Sequence, residues 1–594
     1  MFTIKNNKLS FNNEDFEIFD IAPKIIVADT VLTAKINSVI KYDLNDDFAV
    51  IHTEFYKFKL FAKKVENGYV FECEADIIHP IKETGSFSFD AKIKENPEIC
   101  VYNTVYGING SEIFDMDSQA KTEMLVESGK VTGAGYVSYK TKQNNYGVIG
   151  SVTYDNYFNT VTVSENGKIT LSVNLNGMNF DQNSKLCIDK FCIISSKKTD
   201  ILFDYGKLIA KNNGISEKKQ KYSGWCSWYY YGGKITEKNL LEDLEILSNR
   251  CKDFQVFQID AGWYRCNGDW DENEKFPHGM KYLCDKIKEK GFIPGIWVAP
   301  FDFSEESETH KRHKDWFVSS PTYRDCIDFS NKEAQNYLRA LFTKLSKEWG
   351  YRYIKIDLVS YNIAGSGYEN KNFSPLNNYR EALKIIKESV TEDTVLLTCT
   401  SPIDASVGYA DSIRTAIDIF ENFNAVKEVA KMVYKRNFVS EFAVVDPDCF
   451  MVRTSDKEDS ECFRFCTRNE TEIRTFRTFI YSVGGTTMIS DKLSLLNDKD
   501  FEQYASLLPI NNHSGIPLDL YERDYPSIVD MGKNGKYRII SVINWEDEEK
   551  EYTIDIGKNI GVHLKYRNEN IDCAEKMTLK LSAHDSELIY ILTE

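Results

Sequence analysis

The sequence predicts a central (β/α)8 TIM barrel that follows an N-terminal antiparallel β-sandwich and precedes a small C-terminal antiparallel β domain. Three observations indicate this order. Short alternating apolar runs with Asn-Gly turns occupy residues 1–210, strands alternate with helical stripes through residues 211–514, and short runs return in residues 515–594. We therefore expect three domains with these boundaries in the 594-residue chain.

The first region is expected to form the sandwich. Short strand-like runs, such as residues 48–51 and 161–163, are separated by Asn-Gly pairs that begin at Asn67, Asn166 and Asn176. Alternating runs bounded by turn residues, with few helical stripes, are typical of antiparallel sandwiches. The polar stretch that follows, at residues 211–222, is predicted to be a linker into a different architecture.

The middle region alternates apolar strands with amphipathic helices, which is the pattern of a (β/α)8 barrel. The eight expected strands are residues 224–228, 255–260, 292–298, 353–359, 395–400, 412–415, 442–445 and 486–490. Helices are expected at residues 237–247, 281–290, 332–349 and 379–390. The alternative is a doubly wound open sheet, but no Gly-x-Gly-x-x-Gly pattern follows the first strand.

The charge balance excludes several classes of partner. The chain has 73 Lys plus Arg against 90 Asp plus Glu, a formal charge of −17, and so lacks the basic surface of a protein that binds nucleic acid or anionic membranes. The start shows no signal-peptide pattern, and no apolar stretch reaches about 18 residues, which predicts a cytoplasmic protein. The 14 Cys are scattered without a Cys-x-x-Cys pair, so we expect reduced thiols rather than disulfides or a zinc site.

The end of the fourth expected strand carries two charged residues. In a barrel of this kind, reactive groups lie at the carboxyl ends of the strands. Lys355 and Asp357 alternate with Ile354 and Ile356, so the two charged side chains share one side of the strand. A neighbouring ammonium keeps a carboxylate ionised, as a nucleophile must be. A structural ion pair that closes the barrel mouth is the alternative interpretation.

A second carboxyl, Asp418, lies four residues beyond Arg414 at the end of strand six. Its apolar neighbours in the sequence favour a protonated carboxyl, which suits a general acid. Two carboxyls at one site are typical of glycosidases, where they stand ~5–5.5 Å apart in retaining enzymes and ~6.5–9.5 Å apart in inverting ones. The alternative is an ordinary salt bridge between Arg414 and Asp418 on a helix, which contributes little stability.

Aromatic residues make up 13% of the chain, and several of them gather at the ends of the first three strands. Trp225, Trp228 and Tyr229 stand at the end of strand one, while Trp263 and Trp297 stand at the ends of strands two and three. Aromatic clusters are more often buried packing than binding surfaces. Their position at strand ends nevertheless favours a wall on which the apolar faces of sugar rings stack.

An ordered series of short motifs runs through residues 223–453. The motifs are Trp-Cys-Ser-Trp-Tyr from Trp225, Phe-Gln-Ile-Asp to Asp260, Gly-Asp-Trp to Trp270, Gly-Phe-Ile-Pro-Gly-Ile-Trp-Val-Ala-Pro-Phe to Phe301, Tyr-Arg-Tyr-Ile-Lys-Ile-Asp to Asp357 and Asp-Pro-Asp-Cys to Cys449. The series resembles the α-galactosidases of glycoside hydrolase family 36, particularly the shorter bacterial type. Each motif alone is weak, and their order is what makes the resemblance specific. The three-part layout is similar to the family along the whole chain.

The resemblance implies a retaining double displacement through a covalent glycosyl-enzyme, without a metal or an organic cofactor. Asp357 matches the family's nucleophile and Asp418 its acid/base. Lys355 and Arg414 match the cations that hold sugar hydroxyls, and Asp260 matches an acceptor for those hydroxyls. The other implied substrate-binding residues are Trp228, Tyr229, Trp297 and Cys399. The implied partner is a small α-linked sugar, and assembly of family members through their β domains implies a homo-oligomer.

Two departures from the family pattern affect the choice of sugar. The family has two consecutive aspartates after strand two, which bind the C4 and C6 hydroxyls of galactose, whereas Ala261 follows Asp260 here. Loss of a charged hydrogen bond to a buried hydroxyl costs ~1.5–3 kcal/mol unless Asp269 or a water replaces it. The second departure is Arg-Thr-Ala-Ile-Asp at residues 414–418, where this type more often has Arg-Ile-Gly-Pro-Asp.

We therefore expect an exo-acting α-galactosidase that cleaves small α-linked oligosaccharides. Two enzyme alternatives stay open, an α-N-acetylgalactosaminidase and a transglycosylase that transfers the sugar to another sugar. From a different class, the chain could be a non-catalytic carbohydrate-binding protein on a decayed enzyme fold. That last alternative predicts the loss of a catalytic carboxylate, and both Asp357 and Asp418 are present.

Overall fold

The computed structural model describes residues 1–5, 8–13, 16–103, 111–115, 129–217, 219–320, 325–360, 363, 365–571 and 575–593. The chain divides into two compact units. One contains residues 1–216, 316–334 and 362–382, and the other contains residues 217–315, 335–361 and 383–594. The division into domains at residues 210 and 514 stays a prediction. None of the helices in these ranges is long and apolar enough to cross a membrane.

The first unit contains the predicted antiparallel β-sandwich. Its described strands form a seven-stranded and a nine-stranded sheet. Alternate residues point inward, as in strand Tyr56–Val65, where Phe58 and Leu60 are buried. The ring of Phe58 in one sheet stacks on the ring of Phe87 in the other, with 5.6 Å between the centroids. The two sheets therefore share one apolar core.

In each of the two sheets, hydrogen-bonded neighbours give a definite order of strands from one edge to the other. The seven-stranded sheet contains Phe2–Lys5, Lys8–Asn13, Phe16–Val27, Ile81–Ile93, Lys168–Phe180, Asn159–Ser164 and Lys130–Ala134. The nine-stranded sheet contains Ser111–Asp115, Pro97–Asn103, Tyr136–Thr141, Tyr146–Ser151, Lys185–Ser196, Gly68–Ile77, Tyr56–Val65, Phe48–Thr53 and Val39–Leu44.

The second unit contains a closed parallel barrel. Its strands, numbered one to eight in chain order, are Ser223–Cys226, Val256–Ile259, Ile293–Val298, Tyr353–Ile356, Val395–Thr398, Ser412–Arg414, Val444–Asp446 with Cys449–Phe450, and Thr487–Ile489. Strands one to seven pair in sequence, the second part of strand seven pairs with strand eight, and strand eight pairs with strand one, always in parallel. The predicted (β/α)8 barrel is confirmed, and each expected strand is present.

Strand seven is interrupted, which the sequence pattern does not predict. Pro447 and Asp448 separate its two parts, and Asp448 has a φ of +83°, a region that non-glycine residues seldom adopt. Proline cannot donate a ladder hydrogen bond, so a break in pairing at this position is expected once the proline lies inside a strand. Beyond the break, the Asp448 carboxylate contacts Arg414 at the end of strand six.

The α-helices of the described residues are Thr30–Ile36, Ile201–Asn212, Trp228–Tyr231, Glu237–Arg250, Gly279–Glu289, Glu308–Arg312, Lys332–Thr343, Pro375–Ser389, Phe423–Arg436, Glu470–Val483 and Asp498–Ala505. The barrel is followed by a six-stranded antiparallel sheet of Ile516–Pro517, Ile528–Asn534, Tyr537–Ile543, Ser586–Leu592, Gly561–Leu564 and Glu569–Ile571. The pair Lys550–Asp555 and Lys576–Leu581 shares its apolar core. The predicted C-terminal β region is therefore confirmed.

Candidate active site

The predicted site residues lie at or just beyond the carboxyl ends of the barrel strands. Hydrogen bonds and ion pairs connect four of them in one group, Asp260, Trp297, Lys355 and Asp357. A second group contains Tyr229, Arg414 and Asp418, joined through Asp446 and Asp448. The two remaining predicted residues are Cys399 and Trp228.

Asp357 follows the last residue of strand four and is held on both carboxylate oxygens. Its Oδ2 accepts a hydrogen bond from Trp297 Nε1 at 2.9 Å. Its Oδ1 accepts hydrogen bonds from Thr400 Oγ1 at 2.5 Å and from the backbone N–H of Leu358 at 2.7 Å. The Lys355 ammonium lies 3.9 Å from Oδ2. Four donors or charges thus fix the orientation of one carboxylate.

These contacts also control the ionisation of Asp357. Burial alone would raise the pKa of this carboxyl, because it disfavours the charged form. The Lys355 charge and the hydrogen bonds from Thr400, Trp297 and Leu358 outweigh burial and lower the pKa below its ordinary value. Asp357 is therefore a carboxylate at neutral pH, as the sequence interpretation of Lys355 and Asp357 required.

Two residues that support Asp357 have unusual backbone conformations. Leu358 has a φ of +55° and Thr400 a φ of +48°. For a β-branched residue such as Thr400 this region is a clear outlier, and such conformations cost about 1–3 kcal/mol each. The strained backbone at Thr400 thus occurs at the residue whose hydroxyl donates to Asp357. Sequence reasoning missed Thr400, because nothing in Cys-Thr-Ser-Pro indicates a left-handed threonine.

Lys355 is shared between two carboxylates. Its Nζ lies 3.1 Å from Asp260 Oδ2, closer than to Asp357, and the side chains of Lys355 and Asp260 are both almost fully buried. Burial opposes the charged form of Lys355, but Asp260 and Asp357 raise its pKa well above the ordinary value. Asp260 Oδ2 also accepts a hydrogen bond from Gln258 Nε2 at 2.9 Å. The lysine is therefore a fixed positive charge beside the proposed nucleophile.

Asp269, which the sequence suggested as a replacement for the missing second aspartate, is engaged elsewhere. Its carboxylate accepts hydrogen bonds from the hydroxyls of Ser307 and Thr309 and from the backbone N–H groups of Glu308 and Thr309. Although burial raises the pKa of Asp269, these donors lower it below the ordinary value. The side chain anchors helix Glu308–Arg312, so it is not free to replace an aspartate at Ala261.

Arg414 organises the second group. From the end of strand six its guanidinium contacts Asp446 Oδ2 at 2.8 Å, Asp448 Oδ1 at 2.9 Å and Asp418 Oδ1 at 3.3 Å. The Tyr229 hydroxyl donates to Asp448 Oδ2. Burial is the main cause that raises the pKa of Asp448. The Arg414 charge lowers this pKa, and the charges of Asp418 and Asp446 raise it further. The interrupted strand seven therefore supplies the carboxylates that fix Arg414.

Asp418 differs from the other carboxyls of the site. The structure does not place it in the apolar surroundings that the sequence suggested, because its side chain is 35% exposed and pairs with Arg414. The neighbouring backbone is fixed, since Ile419 N–H donates to Asp448 Oδ2 at 2.9 Å. Asp418 is thus a positioned carboxyl that solvent can reach.

No group of three or more potential metal ligands occurs among the described residues.

Cys399 connects the two groups electrostatically. Burial is the main cause that raises the pKa of the Cys399 thiol, and Asp357 and Asp418 add to it while Arg414 and Lys355 oppose it. Charges from both groups therefore act on one buried side chain at the end of strand five.

Aromatic side chains form part of the wall. Tyr264 stacks on Trp297 with 5.5 Å between ring centroids and 15° between planes. Burial is the main cause that raises the pKa of Tyr264, and the charges of Asp260, Asp302 and Asp357 add to it. The stacking places Tyr264 against Trp297, whose indole N–H donates to Asp357. Sequence reasoning missed Tyr264, which lies beyond the motif that ends at Asp260. By contrast, Trp225 is packing, since it is fully buried.

Comparison with known proteins supports the resemblance. Residues 238–384 match the Melibiase family model. An α-galactosidase from Escherichia coli is 28% identical over 130 residues, which are 19% of this chain and 18% of that protein. The sequence match thus spans less than a fifth of that relative's length.

Two solved structures extend the comparison to the fold. The family 36 α-galactosidase AgaA from Geobacillus stearothermophilus has a TM-score of 0.65 at 10% identity and covers 97% of this chain and 88% of its own. The α-galactosidase TtGalA from Thermus thermophilus, solved with stachyose, has a TM-score of 0.57 at 20% identity and covers 79% of this chain and 99% of its own. These structures confirm the fold predicted from the sequence, and residues 238–384 resemble the Melibiase family.

Proposed function

We propose that the protein is a retaining exo-α-galactosidase that removes terminal non-reducing α-galactosyl residues from oligosaccharides and glycosides. The observation that carries the proposal is the environment of Asp357, an ionised carboxylate oriented by Trp297 and Thr400 beside the Lys355 charge. A fixed carboxylate at the carboxyl end of a barrel strand suits nucleophilic attack on a sugar. The matches to α-galactosidases support galactose as the sugar.

The first step transfers the sugar to the protein. An Asp357 oxygen attacks the anomeric carbon on the face opposite the leaving group, and the bond between that carbon and the glycosidic oxygen breaks. Asp418 donates its proton to that oxygen, so the leaving group departs as a neutral alcohol. Arg414 fixes the position of the Asp418 side chain through the 3.3 Å contact. The product of the step is a galactosyl ester of Asp357.

The second step releases the sugar. A water molecule attacks the same carbon while Asp418, now a carboxylate, takes one of its protons, and the ester bond to Asp357 breaks. Two inversions at one carbon give galactose in the α configuration. The 35% exposure of the Asp418 side chain supports this role, because water has to reach the carboxylate. Lys355 stays charged throughout and favours the return of Asp357 to its ionised form.

The absence of a second aspartate removes an acceptor for the C4 and C6 hydroxyls of the sugar. Ala261 offers no side-chain acceptor, and Asp269 is bound to helix Glu308–Arg312. An α-N-acetylgalactosaminide has the same C4 and C6 hydroxyls as an α-galactoside and differs from it only at C2, so it is the second candidate sugar for this altered pocket. Initial rates on matched aryl α-galactoside and aryl α-N-acetylgalactosaminide decide between the two sugars.

Azide rescue tests the roles of the two carboxyls. With an aryl α-galactoside, Asp357→Ala should be almost inactive, and azide that enters the space of the missing carboxylate should give the β-galactosyl azide by a single inversion. Asp418→Ala keeps the nucleophile, so azide should attack the glycosyl-enzyme and give the α-galactosyl azide. Asp269→Asn is the matched control, because it alters an aspartate outside the proposed chemistry.

The stereochemistry of the azide products separates the proposal from its rivals. The same azide anomer from both variants would contradict the assigned roles. Full activity of Asp357→Ala on every α-glycoside would remove the proposal altogether. Saturable sugar binding without release of reducing sugar by the unmodified protein would favour the carbohydrate-binding alternative, and products that carry the galactosyl group on a second sugar would favour transfer. Cytoplasmic location and homo-oligomer formation stay predictions.

A further inference from the structure

An exposed aromatic cluster lies beside Asp418, and the two proposed steps give it no role. Phe420 and Phe463 are 36% and 38% exposed, although large apolar side chains are usually buried. The Phe463 ring contacts the Trp228 ring at 5.4 Å between centroids. The Arg464 guanidinium lies over both phenylalanine rings, 4.1 Å from the centroid of Phe420 and 5.2 Å from that of Phe463. We call these four residues the aromatic cluster.

The cluster is held in place by the same elements that build the site. Phe463 N–H donates to the carbonyl of Tyr230 at 2.6 Å. The Phe463 ring packs so closely on Gly232 that a Cβ atom added at Gly232 would lie only 2.6 Å from the ring. The carbonyl of Phe420 accepts a hydrogen bond from Arg468 at 2.9 Å. Residues 463–468 therefore connect two segments of the barrel. Phe463 bonds to Tyr230, after strand one, and Arg468 bonds to Phe420, after strand six. Its exposed rings are fixed rather than free.

Position relative to Asp418 indicates what the cluster contacts. The proposed acid must touch the glycosidic oxygen, so the group beyond that oxygen lies next to Asp418. Phe420 is two residues from Asp418, a Cα separation of at most about 7 Å. The intervening residue, Ile419, donates its N–H to Asp448, which also pairs with Arg414. A leaving group next to Asp418 therefore lies close to Phe420, and Phe420 is joined to Phe463 through Arg464.

We propose that Trp228, Phe420, Phe463 and Arg464 bind the sugar ring that is the leaving group of an α-galactosyl oligosaccharide. This inference rests on the proposed function and assigns the substrate class by its chemistry. A pyranose ring has an apolar C–H face that packs on aromatic rings, and hydroxyls at its edge that accept from a guanidinium. Contact with both phenylalanine rings fixes Arg464 where its five N–H donors can meet those hydroxyls.

Substrates with and without a sugar leaving group test the inference. We compare kcat/KM for α-galactosyl-(1→6)-glucose with kcat/KM for α-galactosyl fluoride, whose leaving group has no ring. Phe463→Ala and Phe420→Ala should each lower the ratio of the two values about threefold to tenfold, the usual worth of one aromatic contact. Phe465→Ala is the matched control, because Phe465 is 60% exposed in the same segment and lies outside the cluster; its ratio should equal that of the unmodified protein.

A second variant tests whether the occupant is a sugar. Arg464→Met keeps an apolar chain over the rings but removes the donors, so it should lower kcat/KM for the disaccharide more than for p-nitrophenyl α-galactoside. Equal losses on both would contradict a sugar occupant. Unchanged ratios in both phenylalanine variants, or an equal loss in Phe465→Ala, would overturn the inference while the hydrolysis itself stands. Hydrolysis of none of these substrates by the unmodified protein would instead overturn the proposed function.

Discussion

The hydroxyl of Thr400 provides a sharp test of how Asp357 is kept ionised. Thr400→Val replaces the hydroxyl by a methyl group of similar size and removes the 2.5 Å hydrogen bond to Asp357 Oδ1. Thr400→Ser is the matched control, because it keeps the hydroxyl and removes only the β-branch at a φ of +48°. The pair therefore separates loss of the donor from relief of backbone strain.

The expected effect follows from the strength of a hydrogen bond to a charged group. Such a bond contributes about 1.5–3 kcal/mol, and one pKa unit corresponds to about 1.4 kcal/mol, so its loss should raise the pKa of Asp357 by about one to two units. Asp357 has to be ionised to act as a nucleophile. The acidic limb of the pH profile of kcat/KM should therefore move to higher pH by that amount in Thr400→Val and stay in place in Thr400→Ser.

The assay is the pH dependence of kcat/KM on an aryl α-galactoside for the unmodified protein and both variants. Circular dichroism of each variant verifies that it is folded. An acidic limb that coincides in all three proteins would refute the reasoning, because the hydroxyl would then contribute nothing to the ionisation of Asp357. An equal shift in Thr400→Ser and Thr400→Val would assign the effect to the backbone instead.

Three further predictions concern other contacts. Trp297→Phe removes the 2.9 Å donor to Asp357 and should lower kcat about tenfold or more, measured by steady-state kinetics; an unchanged kcat would contradict the contact. Lys355→Met leaves Asp260 buried without its cation and should lower the free energy of unfolding by about 3–5 kcal/mol in urea titrations; a loss below about 1 kcal/mol would contradict the buried pair. Burial raises the pKa of Asp243 to about 7, so its proton stabilises the folded state at low pH and that stability is lost as the pH rises from about 4 to about 7. Asp243→Asn should flatten this decline in urea titrations across that pH range, and an unchanged decline would contradict it.

Much of the fold was accessible from the sequence, because apolar strands and amphipathic helices have different periods. The interrupted strand seven was not accessible, since Asp-Pro-Asp reads equally well as a turn. The same limit applies to Arg414 and Asp418. Their spacing of four residues left a helical salt bridge as an alternative to a site, and only the structure shows that Arg414 faces three carboxylates.

The sequence predicted Lys355 and Asp357 of the candidate site, but it did not predict every residue that contacts or supports them. Lys355 and Asp357 were accessible because alternation along a strand places them on one side. Thr400 and Tyr264 were not, because they lie beyond the ends of strands five and two, where no local pattern specifies what their side chains contact. The partner of Lys355 was also not accessible, since the 3.1 Å contact joins Asp260 on strand two to strand four, a pairing that no local pattern specifies.

The central claim is that Asp357 forms a covalent bond to galactose during turnover. The most direct test incubates the protein with a fluorinated α-galactosyl fluoride, whose glycosyl-enzyme hydrolyses slowly, and locates the attached sugar by mass spectrometry of proteolytic peptides. We expect one galactosyl adduct, on the peptide that contains Asp357, and none in Asp357→Ala. An adduct on a different residue, or rapid turnover of ordinary α-galactosides without any adduct, would contradict the claim.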